Sequence, residues 1–186
     1  MKKKLLRGLA LGVVLALAGC TTTSVPSSYL VEATGPYLLD SGDAVRVSVY
    51  GDAEITNAYR VDDSGAISMP LIGSVQVRGL TTETAARRIA SKLADGFIRN
   101  PNVAVEVAEY RPFFIQGAVN QSGGFPYIYG MTVRAAISLA GGYIDTANRN
   151  AATIYRRQGT EMVTGAVGLD FPILPGDVIV IDERWL

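Results

Sequence analysis

Leu39-Asp40-Ser41-Gly42-Asp43-Ala44-Val45-Arg46-Val47-Ser48-Val49-Tyr50, residues 39 to 50, is the stretch whose reading decides the fold. Val45, Val47 and Val49 alternate with Arg46, Ser48 and Tyr50, the period-two pattern of a half-buried strand from Asp43 to Tyr50. Leu39 to Asp43 is a turn, in which Gly42 is free to take positive φ and Asp43 can bond nearby amides. The same grammar returns near the end. There Leu174-Pro175-Gly176-Asp177 enters Val178 to Ile181, a strand apolar on both faces and so expected at the centre of a sheet.

Working outward, Asp62-Asp63-Ser64-Gly65 reads as a hairpin-type turn leading into Ala66 to Leu71. Thr81 can cap a helix running to about Asp95, with Glu83 complementing the dipole in the first turn. Ala85, Ala86, Ile89, Ala90 and Leu93 give that helix an apolar face, and Gly96 is its stop. Val103, Val105 and Val107 then alternate as a strand. After a break at Glu109-Tyr110-Arg111-Pro112 comes a strand from Phe113 to Val119, then a Gly-rich turn, Asn120 to Gly124. Thr132 can cap a second helix with Val133, Ala136, Ile137 and Ala140 inward and Gly141-Gly142 ending it, and Ala152 to Arg156 is a further strand.

Two local patterns recur across the halves. Gly79-Leu80-Thr81 and Gly130-Met131-Thr132 each open an Ala-rich helix, and Gly-Asp stands at the entry of two Val-bearing strands. Either two related modules or generic turn chemistry produces such echoes. The expectation is an α+β chain of two small mixed sheet-and-helix modules, at residues 37–110 and 111–186.

The N-terminus speaks to location. Lys2, Lys3, Lys4 and Arg7 precede an apolar stretch from Leu9 to Ala18, too short for the roughly 20 residues of a spanning helix. This is signal-peptide anatomy. Leu17-Ala18-Gly19-Cys20 resembles the lipobox of bacterial lipoprotein precursors, which implies a signal peptide over 1–19 and diacylglycerol on Cys20 (lipidation). Thr21 follows Cys20 where an Asp would signal retention, and by that resemblance the lipoprotein is forwarded to the outer membrane. Thr21 to Pro36 is rich in Thr, Ser and Pro and lacks periodicity, so residues 20–36 read as a flexible tether.

Composition excludes several classes. Removing residues 1–19 takes four of the 17 basic residues and none of the 17 acidic ones, so the mature chain carries 13 against 17, a net −4 over 167 residues. That argues against a nucleic-acid partner, which calls for a basic patch. His is absent and the single Cys is Cys20, which excludes His-based triads, His or Cys metal sites and disulfides.

Carboxylates alone remain. Asp62 with Asp63, and Asp182 with Glu183, are pairs of the kind glycosidases hold about 5–9.5 Å apart, but each sits where a turn or strand end holds solvated charge. Gly123-Gly124 lacks the following Lys and the spacing of a phosphate loop. Tyr110, Tyr127, Tyr129 and Tyr143 could stack on sugar rings or fill half-buried sheet positions. No catalytic residue, metal or cofactor is expected.

The run Tyr37 to Val45, then Val61 through Met69-Pro70-Leu71-Ile72-Gly73, Val75 to Thr81 and Asn100-Pro101-Asn102-Val103, resembles the outer-membrane polysaccharide export (OPX) lipoproteins in their export domain. The second half, with Gln116-Gly117-Ala118-Val119, Gly123-Gly124-Phe125-Pro126, Ala140-Gly141-Gly142-Tyr143 and Leu174 to Ile179, is similar to a β-grasp module of the soluble-ligand-binding (SLBB) type. Gly117-Ala118-Val119 and Gly124-Phe125-Pro126 stand where the family usually has Gly-Glu-Val and Pro-Gly. The resemblance implies a non-enzymatic, lipid-anchored periplasmic component of capsule or exopolysaccharide export at the outer membrane. Implied partners are the polysaccharide chain, further copies in a homo-oligomeric ring and an inner-membrane polysaccharide co-polymerase. Longer members end in a membrane-spanning helix. The residues after Ile181 are too few for such a helix or for tilted strands of about 9–11 residues, so a separate outer-membrane β-barrel is expected to complete the path. The alternatives are a monomeric periplasmic glycan-binding lipoprotein and, less in keeping with the residues, a glycan-cleaving enzyme.

Overall fold

The computed structural model describes residues 35–184, so the signal segment, Cys20 and most of the tether lie outside the described residues. Its first sheet grows from the opening strand. β1 (Ala44–Val49) buries Val45, Val47 and Val49, as their alternation requires, and lies between two antiparallel neighbours, β2 (Asp52–Arg60) and β5 (Val103–Glu109). Between β2 and β5 come a hairpin, β3 (Ala66–Met69) with β4 (Gly73–Gln76), and helix α1 (Thr82–Ala94). Thr81 caps α1 by accepting the Thr84 amide at 3.2 Å, and Gly96, at φ +89°, lets the chain leave it. Ala85, Ile89 and Leu93 of α1 complete one core with the β1 valines and with Ile67, Met69, Val75 and Val77 of the hairpin.

The second sheet has five strands. β6 (Phe113–Gly117), β7 (Gly123–Phe125), α2 (Val133–Leu139), β8 (Ala151–Gln158), β9 (Glu161–Gly168) and β10 (Val178–Ile181) follow in the chain, and the spatial order is β7-β6-β10-β8-β9. β10 is central, parallel to β6 and antiparallel to β8. Its first and last strands run parallel side by side, with the helix crossing between the second and third, which is the β-grasp arrangement. Val133, Ala136, Ile137 and Ala140 pack from α2 onto Phe113, Ile115, Ile154, Ile179 and Ile181, so one face of the sheet is a core and the other is open.

Three expectations need correction. Asp62 to Gly65 is a turn but not a hairpin, because β2 pairs with β1 while β3 pairs with β4, and the chain changes sheets there. Gly123 and Gly124 belong to strand β7 rather than to a turn. The strand expected to reach Val119 ends at Gly117, whose φ of +91° turns the chain aside, and Val119 makes an isolated bridge to Tyr143. β10 is central and apolar on both faces, as expected, with Ile179 and Ile181 buried and Val178 and Val180 half-buried on the open face.

The two long edges of these sheets differ. On β2, Asp52 Oδ1 accepts the amides of Glu54 and Ile55 and Asn57 Oδ1 accepts that of Ala58, so local side chains occupy edge donors. β9 shows no such cover among the described residues, and its one charge, Glu161, is its first residue.

Candidate functional site

The two Gly-Asp entries converge at the seam between the halves. Asp43 closes its turn by donating its amide to Asp40 O and accepting the Asp40 amide on Oδ2 at 2.9 Å. Asp177 does the same with Leu174, accepting that residue's amide at 2.7 Å. Gly42 and Gly176, at φ +94° and +84°, supply the left-handed position each turn needs. Both carboxylates are buried, at 0% and 1% exposure, and each meets an arginine. Arg156 grips Asp177 with Nε at 2.8 Å and Nη2 at 2.6 Å, a two-pronged pair inside the second core. Arg111 gives Asp43 its backbone amide at 3.0 Å and its Nη1 at 3.2 Å.

Arg111 also joins the halves. Its Nη1 donates to the Tyr37 hydroxyl at 2.8 Å, which donates in turn to Asp43 Oδ2 at 2.6 Å. Its guanidinium passes so close to Gly176 that a Cβ there would lie 2.8 Å from Nε. The Gly176 amide donates to Pro112 O at 3.0 Å, tying the second turn to the connecting segment. Tyr37, Tyr110 and Tyr127 then stack edge to face, with centroids 4.9 and 5.3 Å apart. Burial, and then the bond to Asp43, pushes the Tyr37 phenol well above its ordinary value; burial also raises Tyr110 and Tyr127. Both buried carboxylates are thus held by arginines and turn amides, which fixes the orientation of the seam; Arg156 Nη1 alone is buried there without a partner among the described residues.

The residues singled out from the sequence are dispersed. Asp62 accepts the Ser64 hydroxyl and the Ala66 amide, which hold its carboxyl below the usual range and make it a turn brace beside Asp63. Glu183 forms a bridge to Ala147, at the far end of β10 from the seam. Among the described residues no three acidic groups are placed to hold a metal ion. Of the four tyrosines, Tyr110 and Tyr127 are packed in the seam and Tyr143 has Arg149 over its ring at 5.6 Å; Tyr129 stands free at 78% exposure.

The described surface includes shallow depressions. One, of about 270 Å³, lies beside Tyr50, Thr56 and Asn102; another, of about 210 Å³, is lined by Asn148, Arg149, Asn150 and Arg184. The sequence reading missed the open face of the five-stranded sheet, where Phe114 and Tyr155 are 47% and 40% exposed. The alternation of Phe113 with Phe114, and of Ile154 with Tyr155, was the available signal.

Comparison with known proteins gives this geometry a context. A family model described as polysaccharide biosynthesis/export protein matches residues 31–108, and an SLBB domain model matches residues 112–165. The exopolysaccharide production protein ExoF of Rhizobium meliloti (strain 1021) is 35% identical over 108 residues, which is 53% of this chain and 26% of that protein. The polysialic acid transport protein KpsD of Escherichia coli is 24% identical over 174 residues, 87% of this chain and 31% of that protein. The chain thus spans between a quarter and a third of the length of these relatives.

Proposed function

This chain belongs to the polysaccharide export family, with one export domain and one SLBB domain, and on that premise we propose that it is a non-enzymatic periplasmic part of a polysaccharide export machine. The observation that carries this reading is the tandem itself, an export match followed within four residues by an SLBB match. Lipid on Cys20 holds each copy to the inner leaflet of the outer membrane. Two or more acyl chains are needed for that hold, since a single chain binds only marginally. Several copies close into a head-to-tail ring, a geometry in which two different surfaces of each copy meet. The seam at Arg111 supports such a ring by keeping the two domains of each copy in one orientation. No helix among the described residues is long and apolar enough to cross a membrane. By the family resemblance, the reading also includes an outer-membrane β-barrel above the ring and an inner-membrane co-polymerase below it.

Deleting the gene and quantifying surface and secreted polysaccharide tests the role. Export should fall and return with the wild-type gene. The Cys20→Ala chain should lose acyl label and leave the membrane fraction. Native mass spectrometry of the lipidated protein should show a closed oligomer. Unchanged export in the deletion strain, with a strictly monomeric protein, would overturn the proposal.

A further inference from the structure

The open face of the SLBB sheet is built differently from the rest of the surface. Strand register aligns Gly124 of β7, Phe114 of β6, Val178 of β10, Tyr155 of β8 and Thr164 of β9 in a single row across all five strands. Two strand steps, roughly 10 Å at the usual spacing, separate the Phe114 and Tyr155 backbones. The Phe114 ring leans over Gly124, where a Cβ would approach its Cε1 to 3.0 Å. The missing side chain at 124 thus lets the ring lie along the sheet with one face to solvent. The next row places Gln116 beside Val180 and Thr153. Two exposed aromatics on either side of a valine, with amide and hydroxyl groups alongside, make a flat surface that is apolar in stripes and polar between them.

We propose that this row is a glycan platform, on which pyranose rings of the exported chain stack against Phe114 and Tyr155 while Gln116, Thr153 and Thr164 exchange hydrogen bonds with sugar hydroxyls. The proposal rests on the export reading and names the surface that meets the polysaccharide. A pyranose offers the same alternation in reverse, with C–H groups on its faces and hydroxyls at its rim, so both parts of the surface are matched at once. Charge is sparse here, since of the side chains facing out from β6, β8, β9 and β10 only that of Arg157 is ionic. The stacking is therefore selective for sugar rings rather than for a particular anion. Two ring contacts without an enclosing wall give weak, repeated binding, which suits a chain that must keep moving.

Affinity electrophoresis of the full-length chain through native gels containing maltoheptaose-type glucan or polygalacturonate tests this directly. Both glycans should retard the wild type. Phe114→Ala and Tyr155→Ala should each weaken binding by about two- to tenfold, and the double variant should migrate as in a glycan-free gel. Tyr155→Phe, which keeps the ring, should retain binding, and Tyr129→Ala, away from this face, should leave it unchanged. Thermal unfolding of each variant checks that the fold is intact. Wild-type migration unaffected by both glycans overturns the platform, as does a double variant that is still retarded. A shift in oligomeric state without a change in retardation makes the face a contact between copies instead, and equally overturns it. Complementation of the deletion strain separates the two readings: normal export without the gene defeats the export role whatever the gels show.

Discussion

Replacing Arg156 by Met is the sharpest test of how the second domain is held. Arg156 and Asp177 are 4% and 1% exposed and joined by bonds of 2.8 and 2.6 Å, and Arg156 Nη2 also reaches Pro172 O at 3.2 Å. Without the guanidinium, Asp177 keeps only the Leu174 amide and remains in the core. An uncompensated buried charge of this kind costs about 3–5 kcal/mol. The cation–π contact with Phe171, at 5.8 Å, adds about 0.5–1 kcal/mol to the loss. Against this, Nη1 of Arg156 is buried without a partner among the described residues, and removing an orphaned donor returns about 1–3 kcal/mol. The net is about 3 kcal/mol, a large part of the 5–15 kcal/mol that stabilises an ordinary domain. With a urea m-value of about 2 kcal/mol/M, the midpoint should fall by about 1.5 M. Pairing the change with Asp177→Asn should recover much of the loss, because Asn still accepts the Leu174 amide and no charge is stranded. A midpoint drop below about 0.5 M for Arg156→Met alone, or a double variant as weak as the sum of the singles, would refute the reasoning.

Gly117→Ala should cost at least about 2 kcal/mol in the same assay, since φ is +91° and the new Cβ would meet the Ile181 carbonyl oxygen at 2.2 Å. Gly159→Ala, at φ +61° in open space, should cost about 1 kcal/mol, from backbone strain alone. Burial raises Tyr37 above its unfolded value of 10.0, so the neutral phenol is favoured by the folded state. Its contribution is complete below pH 10 and is lost as the pH climbs beyond it; unfolding between pH 8 and 11 should show Tyr37→Phe with a shallower decline than wild type. The bonds from Ser64 and Ala66 lower the Asp62 carboxyl beneath 3.8, so its contribution is present above that pH and fades as the pH falls through it. Asp62→Asn should therefore flatten the acid limb of the stability profile, which a urea series from pH 6 to pH 3 measures.

Much of the fold was legible because its signals are local. The β1 valines, the Thr81 and Thr132 caps and the glycines after both helices each act within a few residues, and the structure uses them as their spacing implies. β2 and β9 were not legible. β2 is an edge strand with a register shift between Val47 and Val49 on its partner, which breaks its alternation, and β9 fills its inner face with Val163, Gly165 and Val167, too small to stand out as a pattern. Gly124 looked like a turn residue because its reason, the ring of Phe114, comes from a neighbouring strand. The turn chemistry of Asp43 and Asp177 could be read from the sequence, but their arginines lie 68 and 21 residues away and only the folded chain reveals them. Tyr110 and Tyr127, candidates for sugar stacking by composition, are occupied by each other and by Tyr37, whereas the exposed pair Phe114 and Tyr155 was hidden inside strands read only for their buried faces.

The bare edge of β9 carries a consequence for the chain before it reaches its place. Among the described residues no strand pairs with the outer side of these eight, and with a single charge at one end they form a template on which an extended segment can add a strand. A cell making the protein faster than it can be positioned accumulates molecules whose stickiest line is already folded and waiting. Fibrous or amorphous deposits are then a hazard of overproduction, and their onset depends on concentration rather than on loss of native structure. A lysine at Thr164 would mark that edge as closed at little cost to the fold, and would give a purer, more dilutable sample for study.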